Sequence, residues 1–275
     1  MGEINPFTAI GAAVVELLTR HSTIFVTTGL TMFRGFAIVV FAWFGIKAAL
    51  ASAEGAGGVP LVNLASLVLL IAFGHTMLTY YASPIPGFGR SFTQLITDQS
   101  AWLAAQIETS QVQALSDRLN EIFLRLEKPL FFDVLHVIGY VTVSLAVTAA
   151  RVALIAVIAF GWVAIGVAVL VGPIFIPFLI VPTLEWIFWG WLRALLQYAF
   201  YQVIAQAFVF VLGTFLLRML EAFPPPYTVD RLLVGGFHVV FLLMAFTYGL
   251  LKVPSLTNSL FAGRSGEVAL PRSLS

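Results

Sequence analysis

The chain reads as an all-α, polytopic transmembrane helical protein with five to six spans and one amphipathic loop helix. Three observations predict that class. Hydrophobic residues make up 60% of the 275 positions and charged residues only 10%, against roughly 25% charged in an ordinary soluble domain. Mean hydropathy is +0.99. Apolar runs recur along most of the chain, several as long as the roughly 20 residues that a helix needs to cross about 30 Å of hydrocarbon. Residues 1–275 therefore read as a single membrane domain, ending in a polar tail over 264–275.

The elements follow in chain order. Met1 to Arg20 carries Glu3 and Glu16 on a modestly amphipathic segment. It lacks the basic start and compact apolar stretch of a cleavable signal peptide, so an uncleaved chain is expected. The first span is bracketed by Arg34 and Lys47. Either both cations snorkel to opposite interfaces, or the span starts near Thr23 and takes Arg34 into the membrane. Leu61 to Tyr81 is a second span, with Asn63 and His75 among its few polar groups.

Residues 83–128 differ in composition and read as an extramembrane loop. Ser83 to Arg90 is a Pro/Gly punctuator, and Asp98 to Lys128 is a polar helix. Val112, Leu115, Leu119, Ile122, Phe123 and Leu126 recur at helical spacing as one apolar stripe. Glu121 and Arg125 form an i,i+4 pair on the other side. Such a helix cannot span; it lies on the membrane or packs against a neighbour. Pro129 marks its end.

Leu130 to Ala150 and Val152 to Val171 are the next two candidate spans, separated only by Arg151. No turn residue flanks that arginine, so the two can equally form one long helix. Gly172 to Phe200 is the most informative stretch. Pro173, Pro177 and Pro182 remove three amide donors within ten residues, so an elbow or short re-entrant segment is expected there. Irregular backbone at membrane depth is tolerated only where protein or water covers it. Trp186, Trp189 and Trp191 beside Glu185 and Arg193 give an interfacial signature. The next span runs from Ala194 to Leu217, and the last from Leu232 to Leu251.

Composition excludes several function classes. A formal charge of +1 does not describe a protein that grips nucleic acid through a broad basic face. The chain has no cysteine, which removes thiolate catalysis and Cys-ligated zinc. His21, His75, His136 and His238 have no ligand spacing, and there is no HExxH, no P-loop and no GxSxG elbow. No catalytic residue, cofactor or metal site is predicted, and the chain is not expected to be an enzyme.

The candidate pore or inter-helix polar residues are Arg34, Asp133, His136, Gln202 and Gln206. Asp133 and His136 stand one turn apart and share a face. They form a proton or ion site, or else they belong to a first helical turn at the headgroup level. Gln202 and Gln206 lie four apart within a span, so their face meets another helix or a water-filled path.

The Pro-broken block also carries a resemblance. Gly172, Pro173, Pro177 and Pro182, then Trp189, Gly190, Trp191, Leu192 and Arg193, with Leu196, Tyr198 and Ala199, resemble the core of the TrbL/VirB-type family of type IV secretion membrane subunits. The ending Lys252-Val253-Pro254-Ser255-Leu256 is a second echo, in which the last span closes on a proline. The likeness covers roughly Thr23 to Gly263. It implies a multi-pass protein of the bacterial inner membrane that acts as scaffold and channel in conjugation or protein secretion. It further implies a homo-oligomer, contacts with stalk or pilus components and partner ATPases, and passage of DNA or protein substrate. The competing class is a small-solute transporter or permease with a polar site at mid-membrane. Such folds often repeat a broken helix in each half, whereas only one broken region is evident here.

Overall fold

A computed structural model describes residues 6–53, 61–106, 109–128, 133–221, 227–228 and 237–261. The expected tail at 264–275 and the start of the last span at Leu232 lie outside these. The described elements are α1 (Pro6–Ala53), α2 (Leu61–Thr79), α3 (Phe92–Gln106), α4 (Thr109–Arg125), α5 (Val134–Phe175), a 3₁₀ turn (Ile176–Ile180), α6 (Glu185–Glu221) and α7 (Phe237–Phe261). No strand occurs among the described residues.

Among the described residues, five helices are long and apolar enough to cross a membrane: Ser22–Ala51, Leu61–Thr79, Val134–Ile180, Glu185–Glu221 and Val239–Phe261. Their outward side chains are apolar as well, with Ile38, Leu61 and Leu145 each about 70% exposed. Water would penalise so much open hydrocarbon surface, whereas lipid does not. The protein is a multi-pass membrane protein.

One alternative left open by the sequence is decided, and two boundaries differ from expectation. Leu130–Ala150 and Val152–Val171 merge into one 42-residue helix, α5, that runs straight through Arg151. One charge does not break a helix when no glycine or proline accompanies it, and the Arg151 guanidinium settles 5.8 Å from the Phe123 ring. The helical part of the polar loop begins at Phe92, ahead of Asp98, because α3 starts on a reciprocal cap. There Ser91 N–H donates to Gln94 Oε1 (2.9 Å), and Gln94 N–H donates to Ser91 Oγ (3.3 Å). The last helix does not close on Pro254 but carries it and continues to Phe261.

The chain packs as two compact units. The first comprises Met1–Gln99 and Trp162–Ala199; the second comprises Ser100–Gly161 and Phe200–Ser275. In the first, the core gathers Phe33, Met77, Leu78, Tyr81, Ile176, Ile180, Phe188, Trp191 and Leu195. Gly74 lets α2 close onto α1, since a Cβ there would meet Phe33 Cε2 at 2.6 Å.

In the second unit, the α4 stripe is buried at Val112, Leu115, Leu119, Ile122 and Leu126, while Phe123 stays 40% exposed. The stripe packs on α6, where a Cβ on Gly213 would lie 3.1 Å from Leu115 Cδ2. On the polar face, Glu121 accepts from Arg118 at 2.6 Å and pairs with Arg125 at 3.3 Å. The end of α4 is pinned by Tyr227: Glu127 N–H donates to the Tyr227 carbonyl at 3.1 Å, and the Arg118 guanidinium lies 5.7 Å from its ring. Burial pushes the Tyr227 phenol above its usual range. Helix α7 reaches α6 through Gly249, where a Cβ would lie 2.9 Å from Phe208 Cε1.

Leu119 is fully buried and Leu124, on the same helix, is 71% exposed. Truncating a buried leucine typically costs about 2–5 kcal/mol. Leu119→Ala therefore lowers the melting temperature in detergent clearly, and Leu124→Ala leaves it near wild type. Equal effects in a thermal-shift measurement would show that α4 does not dock by this stripe.

Candidate functional site

The proline-rich stretch folds into a buried elbow in the first unit. Helix α5 carries Pro173 in its last turn. A proline has no N–H for the carbonyl four residues back, which here belongs to Val169. Tyr81 replaces the missing donor, its hydroxyl donating to the Val169 carbonyl at 2.5 Å. One residue earlier, the Trp191 indole N–H donates to the Ala168 carbonyl at 2.8 Å. Two side chains remote in sequence thus cap the frayed end of α5.

Pro177 removes the next donor, and the chain tightens into the 3₁₀ turn Ile176–Ile180, with Ile176, Pro177, Leu179 and Ile180 buried. Val181, just before Pro182, is extended (φ −102°, ψ 106°), as a residue preceding proline must usually be. Leu184 N–H returns to the Val181 carbonyl at 2.8 Å, and α6 begins at Glu185. A carboxylate at that position suits the positive end of the helix dipole.

Close packing requires glycine at two places. At Gly172 a Cβ would collide with the Tyr81 hydroxyl and lie 2.5 Å from Trp191 Cζ2. At Gly29 it would collide with the Pro173 carbonyl, so α1 lays bare backbone against the elbow. Phe36 of α1 packs its ring 5.5 Å from that of Phe178.

Of the residues singled out by sequence, Gly172, Pro173, Pro177 and Trp191 come together at this elbow. Pro182 occupies its exposed turn. Trp186 and Trp189 point outward, 68% and 52% exposed, as does Arg193. Pro254 belongs to the second unit, inside α7. Arg34 lies within the candidate span Ser22–Ala51, exposed and with no ion pair among the described residues. Tyr81 was missed by sequence reading, since its partner is 88 positions away.

Asp133 is the N-cap of α5. Its Oδ1 accepts from His136 N–H at 3.2 Å, and Oδ2 lies 2.6 Å from His136 Nδ1. The backbone hydrogen bond from His136 holds the carboxyl below its ordinary range. In the second unit Gln202 is buried against Gly161 of α5, and Gln206, one turn on, is half-buried. Among the described residues no three His, Asp or Glu side chains gather as a metal-ligand set.

Two predictions follow from this geometry. Tyr81→Phe orphans the Val169 carbonyl and destabilises the fold by about 1–3 kcal/mol, the cost of an unsatisfied buried group, which a lower melting temperature reads out. Pro173→Ala restores a local N–H donor for that carbonyl, so the same Tyr81→Phe step costs less in the Pro173→Ala background. Strict additivity in this double-mutant cycle would refute the coupling.

The second concerns pH. A carboxylate with a depressed folded pKa contributes stability above its unfolded pKa and loses it as pH falls through the folded value. Asp133→Asn therefore melts below wild type at neutral pH, and the gap closes in acid below the ordinary carboxylate range near about 4. A gap independent of pH would mean that the charge plays no part.

Comparison with known proteins places this elbow in context. No curated protein matches the chain. A family profile described as "TrbL/VirB6 plasmid conjugal transfer protein" matches residues 37–253, a range that includes the whole elbow, its tryptophans and most of α7. The chain belongs to the TrbL/VirB6 plasmid conjugal transfer protein family.

Proposed function

We propose that the protein is an inner-membrane scaffold-and-channel subunit of a conjugation or type IV secretion apparatus. On this reading it assembles into a homo-oligomer at the base of the stalk or pilus and helps DNA or protein substrate to cross the bilayer. The observation that carries the reading is the family match over residues 37–253, which spans the elbow and four of the five candidate membrane helices in whole or large part.

Physical features support it. The elbow draws α1, α2, α5 and α6 onto one core, which favours a rigid membrane body. The outward faces are apolar and aromatic, suited to lipid and to neighbouring subunits. Trp186, Trp189 and Arg193 form a rim of the type found at headgroup level. The sequence has no P-loop, so the energy for translocation would come from partner ATPases. A solute transporter built on paired broken helices is not favoured: α7 continues through Pro254 as a helix, and the proline elbow has no counterpart among the described residues.

Deleting the gene abolishes plasmid or effector transfer in a donor–recipient mating or secretion assay, and wild-type protein supplied in trans restores it. Gly172→Ala, which collides with Tyr81, restores it poorly at equal membrane abundance. The purified protein runs as a multimer with other secretion components. Transfer that persists unchanged without the gene would overturn the proposal.

A further inference from the structure

The two units differ in how they treat buried polar atoms. In the first, the Tyr81, Trp191 and Thr93 donors all reach backbone carbonyls. In the second, Ser144 Oγ, Arg151 Nε, Tyr201 OH, Gln202 Nε2, Gln206 Oε1 and Tyr227 OH are buried with no protein partner among the described residues. Three of these six fall within one stretch of α6, Tyr201 to Gln206. Tyr201 is 2% exposed and Gln202 is 7% exposed.

Their surroundings belong to the same unit. Gln202 and Gln206 are four apart and share a helix face. Across from them α5 presents Gly161, where a Cβ would lie 3.0 Å from Tyr201 Cδ1 and 3.1 Å from Gln202 Cγ. The Phe160 ring stands edge-on to Tyr201, 5.3 Å between centroids. Three polar atoms without protein partners thus lie within six residues of α6, beside an aromatic pair and in the middle of a membrane-length helix.

An orphan polar atom in such surroundings is strongly unfavourable, because hydrocarbon offers no substitute partner. The donor set identifies what satisfies it. Gln202 Nε2 offers a hydrogen, Gln206 Oε1 offers lone pairs, and a tyrosine hydroxyl offers both. Turning either amide over exchanges donor for acceptor and leaves the same demand. None of the three is ionised at neutral pH, so a charged ligand would stay uncompensated. An apolar ligand would leave all three unmatched. Buried water takes two to four polar partners of mixed type, which these three side chains provide. We propose that the α5–α6 contact at Gly161 holds an internal cluster of bound water, hydrogen-bonded to Tyr201, Gln202 and Gln206.

X-ray radiolytic footprinting of the full-length protein in detergent tests this directly, because hydroxyl radicals formed from bound water modify buried neighbours. Tyr201 is modified several-fold faster than Phe246, which is equally buried in the same unit. Gln202→Met, close in shape and without an amide, discards water-mediated bonds and lowers the melting temperature. A dry contact reverses that sign, because removing an orphan amide then relieves a penalty and the variant melts higher. Either a Gln202→Met variant that melts above wild type, or a Tyr201 as unreactive as Phe246, overturns the proposal. The footprint is read on wild-type protein and so decides the question even where the variant folds poorly.

Discussion

Lipid supplies no hydrogen bonds, and the arrangement of this protein turns on that constraint. Three prolines in ten residues strip donors from a segment flanked by membrane-length helices. The freed Val169 carbonyl would be an orphan in the interior of the first unit. The Tyr81 hydroxyl meets it at 2.5 Å, and the Trp191 indole secures the neighbouring Ala168 carbonyl at 2.8 Å. These two bonds tie the end of α2 and the first turns of α6 to the end of α5. The break therefore becomes a rigid joint rather than a loose one.

Packing around the joint follows from what it demands. Gly172 must be glycine because the Tyr81 hydroxyl and the Trp191 ring fill the space a Cβ would take, and Gly29 must be glycine because α1 lies against the Pro173 carbonyl. Beyond Tyr81, the chain turns through Gly87 and Gly89, both at positive φ, and enters α3 on the Ser91–Gln94 cap. Thr93 then donates back to the Tyr81 carbonyl at 3.0 Å. A single tyrosine thus joins the elbow, through its hydroxyl, to the start of the loop, through its backbone.

The second unit obeys the same constraint by another route. Its amphipathic helix α4 hides an apolar stripe against α6 and keeps Arg118, Glu121 and Arg125 as a small ion-pair network on the far face. Charge pairs three and four residues apart on one helix contribute only a few tenths of a kcal/mol each, so burial of the leucines holds this helix. Where the spanning helices bring tyrosine and glutamines together without protein partners, bound water completes the bonding in our reading. The elbow thus meets its hydrogen-bonding demand through protein donors, and the α5–α6 contact, as proposed, through water.

Much of this is legible in the order of residues. Apolar run length alone determined the class and the approximate spans, because bilayer thickness imposes about 20 residues on any helical crossing. The α4 stripe was visible because period 3.6 survives in the order of residues. The elbow was visible because proline's missing N–H is a covalent fact. Boundaries were less legible. Arg151 leaves one helix or two equally open, a choice that the continuous α5 settles, and α3 starts on the Ser91–Gln94 cap, ahead of the polar run from Asp98. What only the tertiary structure decided was who replaces the lost donors. The Tyr81–Val169 bond links positions 88 apart, and no periodicity relates them. Likewise, which tryptophan turns inward depends on the face of α6 that meets α5: Trp191 is buried, whereas Trp186 and Trp189 look outward. Sequence order records which backbone groups lack a partner, but which side chain reaches them is set by how the helices pack.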